Sequence, residues 1–288
     1  MNNYVIFTDS ACDMEPATLK KWNVKCIELT LKFEGDDKIY SNSEIDPKFF
    51  YNKMREGGIA KTSAVNTENF KQAFEEEVKK GNDILYIGFS SGLSTTCNSG
   101  AIAGKSLMEV YPDRKIITVD TLSASAGFGM LLYLIVQKRE EGATIEDAAK
   151  YAEDIKLNLC HWFTVDDLVY LKRGGRVSPA VAFVGGVLGI KPVLHVDNEG
   201  HLVNVSKVRG RKASIRALAD KLTETMIDKT QGPVFICHGD CIEDAQLLAD
   251  IIKTEHGLDI DITVFTGPVI GAHSGPGTLA LFFVGKER

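Results

Sequence analysis

Hydroxyl groups crowd one stretch of the chain, 83–96, which reads DILYIGFSSGLSTT. An apolar run, Ile84-Leu85-Tyr86-Ile87, stops at Gly88. Ser90, Ser91, Gly92, Ser94, Thr95 and Thr96 follow, ahead of a predicted helix. Two chemistries fit these residues. Gly88-Phe89-Ser90-Ser91-Gly92 matches G-x-S-x-G between a strand and a helix, which is the context of a nucleophile elbow. Asp120 or Asp240, then His273, follow in the Ser–acid–His order, so one reading is a serine esterase or thioesterase acting through Ser90. The other reading is an anion cradle: a helix N-terminus offers free N–H groups, and Ser and Thr add neutral donors without bulk. Two features weigh against the hydrolase. No HGGG-type oxyanion loop is present, and the helix begins after the second hydroxyl cluster rather than straight after Ser90.

Further polar groups could join such a site. Lys61-Thr62-Ser63-Ala64-Val65-Asn66 reads as a polar loop. The segment 267–277 is too rich in glycine and proline to predict regular structure, and His273 is its one ionisable side chain. Lys172-Arg173-Gly174-Gly175-Arg176 and Arg209-Gly210-Arg211-Lys212 place guanidinium forks beside glycines, an arrangement suited to carboxylate or phosphate and equally to solvated turns. Other patterns fail. Gly100 to Ser106 resembles a P-loop but has three residues between its glycines and lies inside the predicted helix. Gly185-Gly186-Val187-Leu188-Gly189 is not a dinucleotide fingerprint. Cys237-His238-Gly239-Asp240-Cys241 lacks a second ligand pair at zinc-like spacing and reads as a strand end and helix start.

Length and composition bound the possibilities. A chain of 288 residues, 44% apolar and 25% charged, can bury a substantial core. A net charge of −6 with interspersed signs argues against a general nucleic-acid binder. No signal peptide opens the sequence, no apolar run approaches the ~18–20 residues of a membrane span, and six scattered cysteines suit reduced thiols. The cytoplasm is the expected location.

The elements that must position these groups follow from pattern. Tyr4-Val5-Ile6-Phe7 is a buried-type strand ending in Thr8-Asp9-Ser10, where Asp9 or Ser10 either caps the chain or meets a ligand. Val24–Leu31 reads as one further strand. Asp46-Pro47 opens a helix whose apolar face includes Phe49, Phe50 and Met54, and another helix starts at Thr67. Lys115–Val119 is a strand, Ala124–Glu140 an apolar helix with close-set Ala126, Gly127 and Gly129, and Thr144–Leu157 a helix with a capping box at Thr144 and Asp147. Alternating strands and helices through residue 158 predict a mostly parallel α/β lobe. Beyond it, Cys160–Val165, Lys191–Val196 and His201–Val208 are strands, the last two forming a hairpin. Helices 213–227 and 242–256 with strands 234–237, 261–265 and 279–284 complete a second lobe of α+β type with antiparallel pairing. The predicted architecture is therefore two lobes, 1–158 and 159–288.

Taken in order, these motifs resemble the DegV family of bacterial fatty-acid-binding proteins, which includes the acyl-carrying subunits of fatty acid kinase. The matching segments are Thr8-Asp9-Ser10 with Asp13; Thr62-Ser63; Ser90-Ser91-Gly92-Leu93-Ser94; Asp120-Thr121; Leu171 through Arg176; Ile190-Lys191-Pro192; Lys207 through Arg211; and Gly271 through Gly277. The chain departs from the family at Ala64-Val65-Asn66, where Gln-Pro-Ser is common, and at Thr95, where glycine is common. The resemblance implies a long-chain fatty acid as ligand in a buried tunnel between the two lobes, with its carboxylate held by Thr62, Ser94, the backbone at Thr95, and His273. It implies Arg173 and Arg176, with Arg209 and Arg211, as head-group or partner-facing residues. It further implies a separate ATP-dependent fatty acid kinase as partner, no cofactor, and no catalysis by this chain alone.

Overall fold

The computed structural model describes residues 4–177, 189–227 and 232–288. Among these, the first strand, β1 (Tyr4–Asp9), is buried on both faces and sits inside a parallel sheet of order β2-β1-β6-β7. Its partners are β2 (Val24–Ile27), β6 (Asp83–Gly88) and β7 (Ile116–Asp120). Parallel pairing requires crossovers, and helices supply them: α1 (Pro16–Lys21), α3 (Thr67–Val78) and α4 (Thr96–Val110). Gly100 and Gly104, the glycines of the false P-loop, are packing glycines of α4. A Cβ on them would lie 2.4 Å from Tyr86 Cε1 and 2.8 Å from Ile116 Cγ2, so their absence of side chain brings the helix down onto β6 and β7.

A second sheet has the order β10-β9-β8-β13-β11-β12. It comprises β8 (Leu159–Thr164), the hairpin β9 (Ile190–Val196) and β10 (Leu202–Arg209), then β11 (Phe235–His238), β12 (Ile262–Phe265) and β13 (Leu279–Val284). All its pairings are antiparallel except β11 with β12. Helices α8 (Arg211–Thr225) and α9 (Ile242–His256) close a core with Ile215, Leu218, Leu248 and Phe283. The chain is thus a mixed α/β protein with a parallel N-terminal sheet and a mixed C-terminal one, as predicted.

Helix α5 (Ser125–Glu140) packs against both halves, and its buried residues run from Ser125 to Val136. Its small residues explain how. A Cβ at Gly127 would lie 2.3 Å from His161 Nε2 and 2.5 Å from Phe282 Cδ1, whereas one at Gly129 would lie 2.6 Å from Met14 Cε. A helix apolar on every side is stable in water only when enclosed in this way. After it, α6 (Ile145–Ile155) begins with the predicted capping box, in which the Asp147 amide donates to Thr144 Oγ1 at 3.1 Å.

Four readings from sequence are corrected. Val24–Leu31 is not one strand: β2 ends at Ile27, and β3 (Thr30–Phe33) joins a separate sheet of order β4-β3-β5 with β4 (Tyr40–Ser41) and β5 (Ala60–Ser63). The predicted loop around Thr62 is therefore strand β5, opposite β3. In α2 (Pro47–Arg55), Phe50 and Met54 are core but Phe49 is half exposed. The glycine-rich segment near His273 contains a helix, α10 (Pro268–Ser274). The Gly185–Leu188 run lies outside the described residues.

Candidate functional site

Strand β5 places Thr62 opposite Leu31 of β3, half-buried on the wall of a cavity of about 920 Å³. His273 reaches the same point from the last turn of α10, and its Nε2 shares a 2.8 Å hydrogen bond with Thr62 Oγ1. Several contacts hold α10 there. Gly267 precedes Pro268 at the first helical position, and Asn42 Oδ1 accepts from the Val269 amide at 2.8 Å while its Nδ2 donates to the Ser10 carbonyl. Gly271 allows the helix to lie against α2, where a Cβ would meet Tyr51 Oη at 2.4 Å and Phe50 at 3.0 Å. Tyr51 Oη also donates to the Thr266 carbonyl at 2.6 Å.

The turn between β6 and α4 brings Ser94 and Thr95 to this wall. Ser94 Oγ accepts from the Thr96 amide at 3.2 Å and shares a 2.9 Å bond with Thr96 Oγ1. Thr95 occupies the N-cap position of α4 in helical conformation, with no side-chain cap bond. Its β-branched side chain at this departure from the family therefore leaves the helix start intact. The first-turn N–H groups of α4 have no intrahelical acceptor and carry the positive end of its dipole.

Arg173 and Arg176 also line the cavity. Arg173 ends α7 (Val169–Arg173), exposed, with its guanidinium 5.7 Å from the Tyr170 ring centroid. Arg176 instead grips backbone: Nε and Nη2 donate to the Leu93 carbonyl at 3.2 and 2.8 Å, and Nη1 to the Gly174 carbonyl. It fixes the cradle turn from the other side of the cavity. Arg209 and Arg211 do not line it. Arg209, at the end of β10, is exposed, whereas Arg211 Nε binds Asp244 at 2.8 Å and Nη1 lies 3.7 Å from Asp166.

Charge at this end is set by burial. Enclosure, and secondarily the Arg176 guanidinium, push the His273 imidazole down to about 4, so it is neutral near pH 7. A neutral imidazole carries one N–H. Nδ1 is buried without a partner among the described residues, and a Cβ on Gly174 would lie 2.1 Å from it. A bare lone pair in that position costs less than an orphaned N–H, so we assign the proton to Nε2. Nε2–H then donates to Thr62 Oγ1, leaving the Thr62 hydroxyl hydrogen for an oxyanion in the cavity. Away from these residues the wall is largely apolar: Phe89, Leu93, Phe163, Leu171, Leu202, Ile270 and Phe282. The arrangement suits a molecule with one anionic end and a long apolar body.

Other candidates are structural. Asp9 accepts from the Ala11 amide, the Phe89 amide and Tyr86 Oη at 3.2, 3.0 and 2.7 Å, and burial raises its carboxyl to about 6. Ser10 Oγ accepts from the Leu29 amide. Ser90 is fully buried and its Oγ donates to the Gly200 carbonyl at 3.0 Å. His273 is committed to Thr62, so the hydrolase arrangement is absent around Ser90. The apolar lining carried no local signal: Leu93 of the turn, Phe163 of β8 and Phe282 of β13 become neighbours of one space only through the long-range fold.

Comparison with known proteins is decisive on kinship. The model of the DegV family, a family of uncharacterised proteins, matches residues 3–286. The chain belongs to the DegV family. A DegV domain-containing protein of Clostridium perfringens is 43% identical over 289 residues, covering 100% of this chain and 99% of the relative. Among solved DegV-type structures, a stearic acid-binding protein from Eubacterium ventriosum superposes with a TM-score of 0.88 at 25% identity, over 98% of each chain. The fatty acid binding protein DegV of Bacillus subtilis gives 0.84 at 28% identity, over 99% of this chain and 100% of that one. A DegV protein from Thermus thermophilus, also described by its fatty acid binding, gives 0.86 at 26%, over 98% and 99%. No described helix is long and apolar enough to cross a membrane.

Proposed function

We propose that this DegV-family chain is a carrier that holds one long-chain fatty acid in a buried tunnel between two lobes, 1–158 and 159–288. The acid's carboxylate lies against Thr62, Ser94 and the backbone at Thr95, with His273 acting behind Thr62. The observation that carries the reading is the cavity itself: a Thr62–His273 pair and a helix start at one end, and an apolar wall beyond. The fatty acids bound by structural neighbours support it.

The energetics divide the labour. A tail of roughly 14 methylenes contributes on the order of 11 kcal/mol gross at about 0.8 kcal/mol each. A charge-assisted hydrogen bond at the head contributes about 1.5–3 kcal/mol. The tail sets affinity, and the hydroxyls set orientation and offset the cost of desolvating a carboxylate. In this reading the cytoplasmic carrier presents the carboxylate to a separate ATP-dependent fatty acid kinase. A carboxylate oxygen attacks the γ-phosphorus, the bond to ADP breaks, and the acyl phosphate stays on the carrier. Arg173, exposed at the cavity rim, faces that partner.

Mass spectrometry of an organic extract of purified protein tests the reading: one fatty acid per chain is expected. Protein that emerges empty and takes up no added fatty acid refutes it. Thr62→Val combined with Ser94→Ala should also depress acyl phosphorylation by the partner kinase, and unchanged turnover would remove the cradle assignment.

A further inference from the structure

Every backbone and side-chain polar atom of Ser90 is used. Its amide donates to the Ser123 carbonyl at 3.0 Å, and its carbonyl accepts from the Leu93 and Ser94 amides at 3.1 Å each. Its Oγ donates to the Gly200 carbonyl at 3.0 Å and accepts from the Gly92 amide at 3.2 Å. Gly200 belongs to the turn of the β9–β10 hairpin, where its φ is +79° and a Cβ would lie 2.2 Å from Ser90 Oγ. On the other side of the contact, a Cβ on Gly92 would lie 2.7 Å from the Glu199 carbonyl oxygen. Two glycines thus allow the hairpin turn of the second sheet to press directly on the cradle turn of the first, with the Ser90 hydroxyl between them.

We propose that Ser90 is a positioning residue. Through Gly200 it locks the 90–95 turn against the β9–β10 hairpin, and so sets where Ser94 and the start of α4 stand when a carboxylate binds. The inference rests on the proposed carboxylate site. It gives the serine of G-x-S-x-G an occupation other than attack: the hydroxyl hydrogen points to a backbone carbonyl and the lone pairs face a backbone amide. A loss at Ser90 therefore falls mainly on the head group, because the 90–95 turn carries Ser94 and Thr95 but only one residue of the apolar wall, Leu93.

The experiment compares delipidated wild type, Ser90→Ala and Gly200→Ala by calorimetric titration with palmitate and with hexadecanol, which share a tail and differ at the head. Ser90→Ala is expected to weaken palmitate binding roughly three- to tenfold, the value of one buried hydrogen bond, and to weaken hexadecanol binding less. Gly200→Ala, whose methyl group strikes the hydroxyl and whose φ of +79° also strains the hairpin turn, should reproduce that loss of selectivity. An unchanged palmitate-to-hexadecanol ratio in Ser90→Ala, or an equal loss for both ligands, overturns the positioning role. Covalent labelling of wild type by a fluorophosphonate, lost in Ser90→Ala, also overturns it. If wild type itself fails to prefer palmitate, the carboxylate reading falls first and this inference with it.

Discussion

Replacing Gly174 by alanine tests the head-group geometry with a single methyl group. Gly174 lies just past α7 at φ −73° and ψ −9°, a conformation open to any L-residue, so the backbone imposes no strain on the change. The new Cβ would stand 2.1 Å from His273 Nδ1. Moving from there to the 3.4 Å at which ordinary van der Waals contact begins displaces the ring by about 1.3 Å. A shift of that size stretches the 2.8 Å Thr62–His273 bond beyond hydrogen-bonding range. Losing one such bond is worth about 0.5–1.5 kcal/mol, or roughly a two- to twelvefold loss of carboxylate affinity. The displaced ring also gains solvent, so its pKa should climb from about 4 towards its ordinary value near 6.5. Proton–carbon NMR on histidine-labelled protein follows that titration directly, with His273→Gln assigning the signal among the six histidines. A Gly174→Ala protein whose His273 still titrates near 4 and whose palmitate affinity is unchanged would refute the assignment of Nε2–H to Thr62.

Two other expectations concern groups around the same cavity. Asp13 is buried and accepts from Ser125 Oγ, and burial raises its carboxyl to about 7. A carboxyl raised above its unfolded value of 3.8 holds a proton in the folded state that the unfolded chain has lost, so stability falls as pH rises from about 4 to 7. Asp13→Asn removes that term: in urea titrations its advantage over wild type should grow by up to about 4 kcal/mol between pH 4 and pH 8, and a pH-independent difference would contradict the burial argument. Arg173→Ala removes an exposed guanidinium whose ring contact is worth at most about 1 kcal/mol. Its melting temperature should barely move while the KM of the proposed partner kinase for the fatty-acid-loaded protein rises, and an unaltered KM would take Arg173 off the proposed partner-facing surface.

How much was legible in the sequence depended on how local the causes were. The Asp46-Pro47 helix start, the capping box at Thr144, and the spans of α9 and β13 follow from neighbours in the chain, and the structure reproduces them. Strand β5 did not announce itself because Lys61, Thr62 and Ser63 are polar and only their pairing with β3 makes them a strand. The apolar run from Val24 breaks between β2 and β3 because its ends pair with different sheets, a long-range choice that no window of residues records. Helix α10 was hidden by Gly271, whose role is close approach to Tyr51 and Phe50 rather than a turn. The candidate site was legible as an ordered set of motifs. The bonds that tie it together, Arg176 to Leu93 and Ser90 to Gly200, join segments far apart in the chain and were not.

The contact between Thr62 and His273 spans 211 residues. On a ribosome adding about 5–20 residues each second, roughly 10–40 seconds separate the synthesis of these two side chains. For most of that interval the emerging polypeptide carries Thr62 and Ser94 on an unfinished wall, with Phe89 and Leu93 lacking the Ile270 and Phe282 side of the cavity. If the proposed carrier reading holds, loading is a post-translational event. The newborn chain must conceal half of a lipid-sized apolar surface before its other half exists, which makes this stretch of synthesis the moment when a chaperone has most to gain by holding it.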